Sequence, residues 1–304
     1  MLCNICAKDL KIRFAEVADA QTGDKFSILA CDDCGVAQTS PVPDDLSFYY
    51  ADYHGGRHGG SADFCAGRRV RWLEQSAAEN KNSARKVLDI GCGEGTFLQR
   101  AKRRNWQCVG VELDREGLKN SDLEIYETIA TVKDAHGENS FAAITLWHVL
   151  EHLEHPRESL KEIYELLVPD GKLLIAVPDA AGFQAKIFGK DWLHLDVPRH
   201  LYHFNFQSLE MLLRQHGFQI ERRRHQEFEY DLLGWSQSAL NKIFSPPNVF
   251  FQLLTKRETE ISRAKRAANF ALGCAFSALA VPLVFFGGLM KKGGTIILEA
   301  SKTK

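Results

Sequence analysis

The stretch Val87-Leu88-Asp89-Ile90-Gly91-Cys92-Gly93-Glu94-Gly95 reads as a short apolar strand running into a glycine turn, with a helical run from Thr96 behind it. Small residues let a backbone approach a ligand, and a helix start offers N–H groups that have no partner inside the helix. The spacing is GxGxG. The dinucleotide fingerprint GxGxxG needs glycine at 96, where Thr96 stands. An acid, Asp89, precedes the turn, and a second, Glu112, closes the next strand 21 residues after Gly91. A carboxylate in that place can accept hydrogen bonds from both hydroxyls of a ribose. The alternative is an ordinary strand–turn–helix with no ligand. The order strand, acid, glycines, helix, strand, acid argues for a nucleotide-type ligand.

Outward from this turn the chain alternates strand and helix. Lys86–Ile90, Gln107–Val111, Glu124–Tyr126, Phe141–Trp147, Lys172–Val177, Phe218–Arg224 and Thr295–Ala300 read as strands. Thr96–Arg104, Asp114–Asn120, Arg157–Val168 and Gln207–Gln215 read as helices, and Pro169-Asp170-Gly171 as a turn. A further helical pattern covers roughly 61–79. Strands alternating with helices of this size predict an α/β fold with a parallel sheet covered on both faces. The composition agrees with a globular protein, with 304 residues, 45% hydrophobic and 25% charged. Lys plus Arg is 38 against 39 for Asp plus Glu, so no global charge marks a nucleic-acid binder.

The segment DIGCGEGTF, followed by VGVELD, resembles motif I and the acidic loop of class I S-adenosylmethionine-dependent methyltransferases. SFAAITLWHVLEHLEHPRESLKEIYELLVPDGKLLIAVPD is similar to the corresponding stretch of the branch that includes ubiquinone-type and sugar methyltransferases. It departs from that branch at Ala142, where Asp is usual, and at Asp170, where a glycine is usual. The resemblance implies a Rossmann-like seven-stranded sheet whose last strand is antiparallel. It also implies S-adenosylmethionine as donor, lined by Asp89, Gly91, Gly93, Gly95, Glu112, Leu113 and Trp147, with an adenine contact from Glu127–Ala130.

Methyl transfer needs acceptor, methyl and sulfur in line, and often a base for the acceptor proton. His148 falls at the carboxyl end of the fourth strand, where ligands of open α/β sheets collect. His148, Glu151 and His152 have spacing i, i+3, i+4, which would place them on one helical face. The trio reads as a base with acceptor contacts, as a divalent-cation site, or as helix capping and packing. A second cluster, Asp191 to Phe204, offers His200 and His203 as alternative bases and Arg199 and Tyr202 as acceptor contacts. The bland reading of this run is a helix start with Leu195, Leu201 and Phe204 filling core.

Cys3-x2-Cys6 and Cys31-x2-Cys34 present four thiols in two knuckles, the pattern of a closed structural Zn2+ site. By resemblance, such zinc-bearing units precede methyltransferase domains. The unit is then expected either to close over the donor through Tyr49, Tyr50, Tyr53 and the glycine-histidine tract to Gly60, or to serve as a passive support. Cys65, Cys92, Cys108 and Cys274 stand singly, and with no signal peptide ahead of Cys3 this usage suits a reducing cytoplasm. The expected organisation is 1–40 zinc-binding unit, 41–80 connector and cap helix, 81–228 donor-binding core, 229–294 apolar helical insertion, and 295–304 last strand.

Ala267 to Met290 holds no charged residue over 24 positions and is flanked by Arg263, Lys265, Arg266, Lys291 and Lys292. Its place just before the last strand predicts an in-plane or re-entrant helix on the inner face of a membrane, or else a buried helix or homodimer face. The function expected is methyl transfer to a small-molecule, glycan or lipid-linked acceptor, a sugar hydroxyl first and a quinone-like ring next. An RNA methyltransferase is the alternative, prompted by the cysteine knuckles and the runs Lys102–Arg104 and Arg222–Arg224. The balanced charge and lack of interleaved aromatics argue against nucleic acid.

Overall fold

The computed structural model describes residues 1–50, 61–77, 85–114, 116–118, 121–255 and 261–303. In chain order the strands are β1 (Leu10–Ala18), β2 (Lys25–Cys31), β3 (Ala37–Ser40), β4 (Lys86–Ile90), β5 (Gln107–Val111), β6 (Glu124–Tyr126), β7 (Phe141–Trp147), β8 (Leu167–Pro178), β9 (Tyr202–His203), β10 (Phe218–Arg224) and β11 (Thr295–Lys302). The α-helices are α1 (Ser47–Tyr50), α2 (Ser61–Ala77), α3 (Thr96–Lys102), α4 (Ile129–His136), α5 (Pro156–Leu166), α6 (Phe183–Phe188), α7 (Phe206–Gln215), α8 (Phe228–Asn241), α9 (Val249–Leu254) and α10 (Arg263–Leu289).

The chain forms two compact units. One takes in 60–177, 210–223 and 297–304, and the other 1–59, 178–209 and 224–296. The first is built on a seven-stranded sheet of order β10-β11-β8-β7-β4-β5-β6. The pairs β4–β5, β4–β7, β5–β6 and β7–β8 are parallel. Every residue of β7 is buried, as expected of a central parallel strand covered on both faces. Helix α5 turns Leu160, Ile163 and Leu166 fully inward, at helical spacing. The order reverses at β4, whose neighbours β5 and β7 lie on either side, and such a switch point is where open α/β sheets bind ligands.

Local differences from the sequence reading have simple causes. Within the run 114–120 the described residues Glu116–Leu118 form a 3-10 turn. Glu127–Ala130 is a helix start, with the Thr128 hydroxyl accepting from the Thr131 N–H at 3.2 Å to cap α4. The turn expected at Pro169–Gly171 lies inside β8 as an irregularity, where pairing slips between Phe141↔Leu167 and Ala143↔Lys172. Asp170 takes φ +61° there.

The second unit has a four-stranded sheet of order β1-β2-β3-β9, antiparallel throughout. β9 comes from far along the chain. The cysteine-bearing segment is therefore not a separate 1–40 unit, because it completes its sheet and core with residues after 178. That core joins Val17, Phe26, Ile28 and Ala37 to Ala185, Phe188, Trp192, Leu195 and Val197. A segment of forty residues has little core of its own, and these later residues supply it.

Candidate donor site, histidines and cysteine cluster

In the seven-stranded unit the glycine loop follows β4. Gly91, Gly93 and Gly95 have φ of +70°, +53° and +75°, the left-handed region that glycine enters without steric cost. Gly91 is also needed for space, since a Cβ there would lie 2.4 Å from Val149 Cγ2. Gly95 caps α3 with no side-chain bond, so the cradle is made of backbone. The Glu112 carboxylate accepts from the Gly93 N–H at 2.8 Å and from the Asp114 N–H at 3.2 Å, clamping the end of β5 to the loop. A carboxylate oxygen has two lone pairs, so both oxygens retain capacity for ligand hydroxyls. Leu113 beside it is exposed.

Asp89 sits beneath the loop, buried, and accepts from the Thr145 hydroxyl at 2.5 Å. Burial pushes its carboxyl up to about 7, against the opposing bond from Thr145. Asp89 thus fixes β4 to β7 below the cradle. Trp147 corrects the expectation of a residue lining the donor. Its ring is buried in the hydrophobic core of this unit, 5.8 Å from Phe97 and 6.2 Å from Trp72, with the Arg69 guanidinium 4.7 Å from the ring centroid. Nothing in the sequence distinguished a core-facing from a loop-facing indole at a strand end.

His148 follows β7 directly, and its N–H donates to the Ala176 carbonyl at 2.9 Å. It has φ +58°, an unusual backbone for a residue with a Cβ, and such strain gathers at functional positions. No local sequence pattern announces it. The single helical face expected for His148, Glu151 and His152 is not formed. Leu150–His152 is a 3-10 turn and α5 starts only at Pro156. His148 stands ahead of that turn, and its Nδ1 lies 3.6 Å from Oε1 of the fully buried Glu151.

The other unit holds the cluster that follows α6. Arg199 corrects a second expectation. It is 2% exposed, and its guanidinium donates to Asp19 at 2.6 Å, to Asp196 at 2.7 Å and to the Tyr49 carbonyl at 3.2 Å. A guanidinium matched by two carboxylates is a structural ion cluster rather than a receptor for an acceptor anion. Asp19 lies 180 residues earlier, so no local pattern could announce the pairing. His200 Nδ1 is 2.8 Å from the His194 carbonyl, which can only accept. The neutral ring is therefore the Nδ1–H tautomer, with Nε2 as its basic nitrogen. His203 Nε2 is 3.0 Å from the Thr39 hydroxyl, which itself donates to the His200 carbonyl at 2.6 Å. That hydroxyl has one proton, so His203 Nε2 must donate, and this nitrogen is not a base. Tyr202 is buried, with its hydroxyl accepting from Asn4 at 3.0 Å. Tyr49 donates to Asp24 and Tyr50 to the Arg199 carbonyl. Tyr53 and the tract to Gly60 lie outside the described residues.

In the same unit the four paired cysteines converge, with one sulfur from each within 4.8 Å of the others. Cys3 and Cys34 sulfurs are 3.6 Å apart and those of Cys6 and Cys31 3.4 Å. A tetrahedral Zn–S4 centre with bonds of about 2.3 Å has sulfur–sulfur edges of about 3.8 Å, so the four thiols fit one. The two knuckles fold alike. The Ala7 N–H reaches the Cys3 carbonyl and the Gly35 N–H the Cys31 carbonyl, each at 2.9 Å, with φ of +59° and +76°. Burial raises the Cys3 and Cys34 thiols, so a metal there would displace their protons.

Comparison with known proteins agrees with this geometry. The sequence profile of the methyltransferase domain matches residues 64–222. Ubiquinone biosynthesis O-methyltransferases are among the curated relatives. That of Xanthomonas axonopodis pv. citri is 27% identical over 49% of this chain and 69% of its own length. That of Xanthomonas oryzae pv. oryzae is 27% identical over 43% of this chain and 60% of its own. A solved SAM-dependent methyltransferase from Archaeoglobus fulgidus shares the fold at TM-score 0.50 and 18% identity, covering 85% of this chain and all of that one.

Proposed function

This chain belongs to the methyltransferase domain family, and from that premise we propose that it transfers the methyl group of S-adenosylmethionine to a hydroxyl of a small-molecule or lipid-linked acceptor. The observation that carries the reading is the Glu112 carboxylate held against the Gly93 N–H, at the edge of a cradle of left-handed glycines. Glu112 would hold the ribose hydroxyls and the loop backbone the rest of the donor. S-adenosylmethionine supplies a methyl already activated on a positively charged sulfur. The chain's own task is then to place the acceptor oxygen and take its proton.

His148 is assigned that proton. It directly follows β7, the strand beside β4 at the switch point, and Glu151 at 3.6 Å would stabilise the imidazolium formed. His200, through Nε2, is the second choice. Two acceptor classes compete, a sugar hydroxyl and a phenol of a quinone-like ring. The relatives' role in ubiquinone biosynthesis favours the ring. The cysteine cluster is assigned a structural Zn2+ through Cys3, Cys6, Cys31 and Cys34, stabilising the four-stranded unit. The test is transfer of labelled methyl from S-adenosylmethionine to catechols, nucleotide sugars and extracted lipids. His148→Ala should lower turnover by about 10²–10⁴ while donor affinity holds. Full turnover in both His148→Ala and His200→Ala would remove the base from the proposal.

A further inference from the structure

Among the described residues, α10 is apolar on all sides but covered on one. Its buried positions Asn269, Gly273, Ala280, Val284 and Gly287 form a single narrow stripe. That stripe packs on α8 and α9, so closely that a Cβ at Gly273 would lie 2.4 Å from the Phe250 ring. The remaining surface carries Leu279 at 68% exposure, Leu289 at 81%, Phe285 at 58% and Phe286 at 53%. An exposed apolar surface of this extent marks an interaction face.

The charges around it say what kind. Arg263, Lys265 and Arg266 stand exposed in the first turn, and Lys291 and Lys292 just past the last. No acid occurs from Ser262 to Leu298. Cations at a helix N-terminus oppose its dipole, so helix stability does not explain the first three. Lys186, exposed on α6, adds to the far end, where Phe183 of α6 stacks on Phe286 at 6.0 Å. We propose that this face of α10 lies flat on an anionic lipid bilayer, with its exposed leucines and phenylalanines in the interface and both basic ends on headgroups.

The helix lies along the surface and does not cross. The buried stripe from Asn269 to Gly287 covers about 27 Å of a helix about 40 Å long, and α8 alongside contains Asp231, Ser236, Gln237 and Ser238, which a crossing would carry into hydrocarbon. A second copy fits less well, because either orientation of two such helices about a twofold axis brings basic ends onto basic ends. The inference does not depend on methyl transfer.

The test is flotation of the full chain with vesicles of phosphatidylcholine, pure or mixed with phosphatidylglycerol, alongside its elution volume without lipid. Wild type should float with the mixed vesicles, less so at high salt. The Leu279→Asp/Leu289→Asp variant should remain folded by circular dichroism and stop floating. Each of Lys291→Ala and Lys292→Ala should lower partitioning by about fivefold. A wild type that ignores mixed vesicles overturns the proposal. If it is also a dimer that Leu279→Asp/Leu289→Asp dissociates, the face belongs to a second copy.

Discussion

Replacing Glu112 by alanine removes a side chain that ties the end of β5 to the glycine loop. Two hydrogen bonds go, from Gly93 N–H at 2.8 Å and from Asp114 N–H at 3.2 Å. Hydrogen bonds to a charged group contribute about 1.5–3 kcal/mol each when well made and sheltered. These lie at an exposed edge, so the low end of that range applies, partly offset by water taking the acceptor's place. The contacts assigned to the ribose would be lost as well. Together they predict a fall in donor affinity of about 1–3 kcal/mol, or roughly 5- to 150-fold. Calorimetric titration with S-adenosylhomocysteine reads the change, and circular dichroism checks that the sheet is intact. Glu112→Gln should fall between wild type and alanine, since its amide oxygen replaces only one of the two acceptors. A folded Glu112→Ala that binds within twofold of wild type would refute the assignment of β5's end to the ribose.

Three further outcomes follow from the geometry. Gly91→Ala must hold alanine at φ +70° with Cβ 2.4 Å from Val149 Cγ2. Left-handed strain of about 1–2 kcal/mol and overpacking of about 1–3 kcal/mol should lower the melting temperature and abolish donor binding together. If only one of the two changes, the loop is not the cradle. Purified chain should carry one Zn2+, and Cys34→Ser or a strong chelator should loosen the four-stranded unit by hydrogen exchange while the seven-stranded sheet stays protected. A metal-free chain with unchanged exchange would exclude the site. The Asp89 carboxyl ionises near 3.9 when unfolded and near 7 when folded, raised by burial. The folded state then keeps a proton that the unfolded chain has released. This contribution is complete below about pH 4 and is lost as pH rises through 7, by up to about 4 kcal/mol. Denaturant melts of wild type and Asp89→Asn from pH 4 to 8 should differ in that slope, and parallel profiles would contradict it.

The sequence was most informative where periodicity and turn chemistry act locally. The run Val87–Gly95 is a buried strand entering three left-handed glycines, as its residues required, and Phe141–Trp147 is the central strand its unbroken apolar run implied. Cys3, Cys6, Cys31 and Cys34 do converge, because two knuckles of equal length can close on one point. What stayed hidden depends on distant partners or on backbone strain. Arg199 looked like an anion receptor until Asp19 supplied its counter-charge. Trp147 looked like a ligand wall until Trp72 and Phe97 enclosed it. His148 combines a φ of +58° with a bond from its N–H to Ala176 on β8, a pairing that no local pattern encodes. The cysteine-bearing sheet borrows β9 from residues 202–203, so a boundary at 40 could not hold.

The loop Gly91–Gly95 with Glu112 is assigned to binding S-adenosylmethionine. Calorimetric titration of the chain with that donor tests this assignment. Saturable binding of one donor per chain, lost in Gly91→Ala and weakened in Glu112→Ala, is the predicted result. A folded wild type that gives no saturable heat with either S-adenosylmethionine or S-adenosylhomocysteine would contradict it.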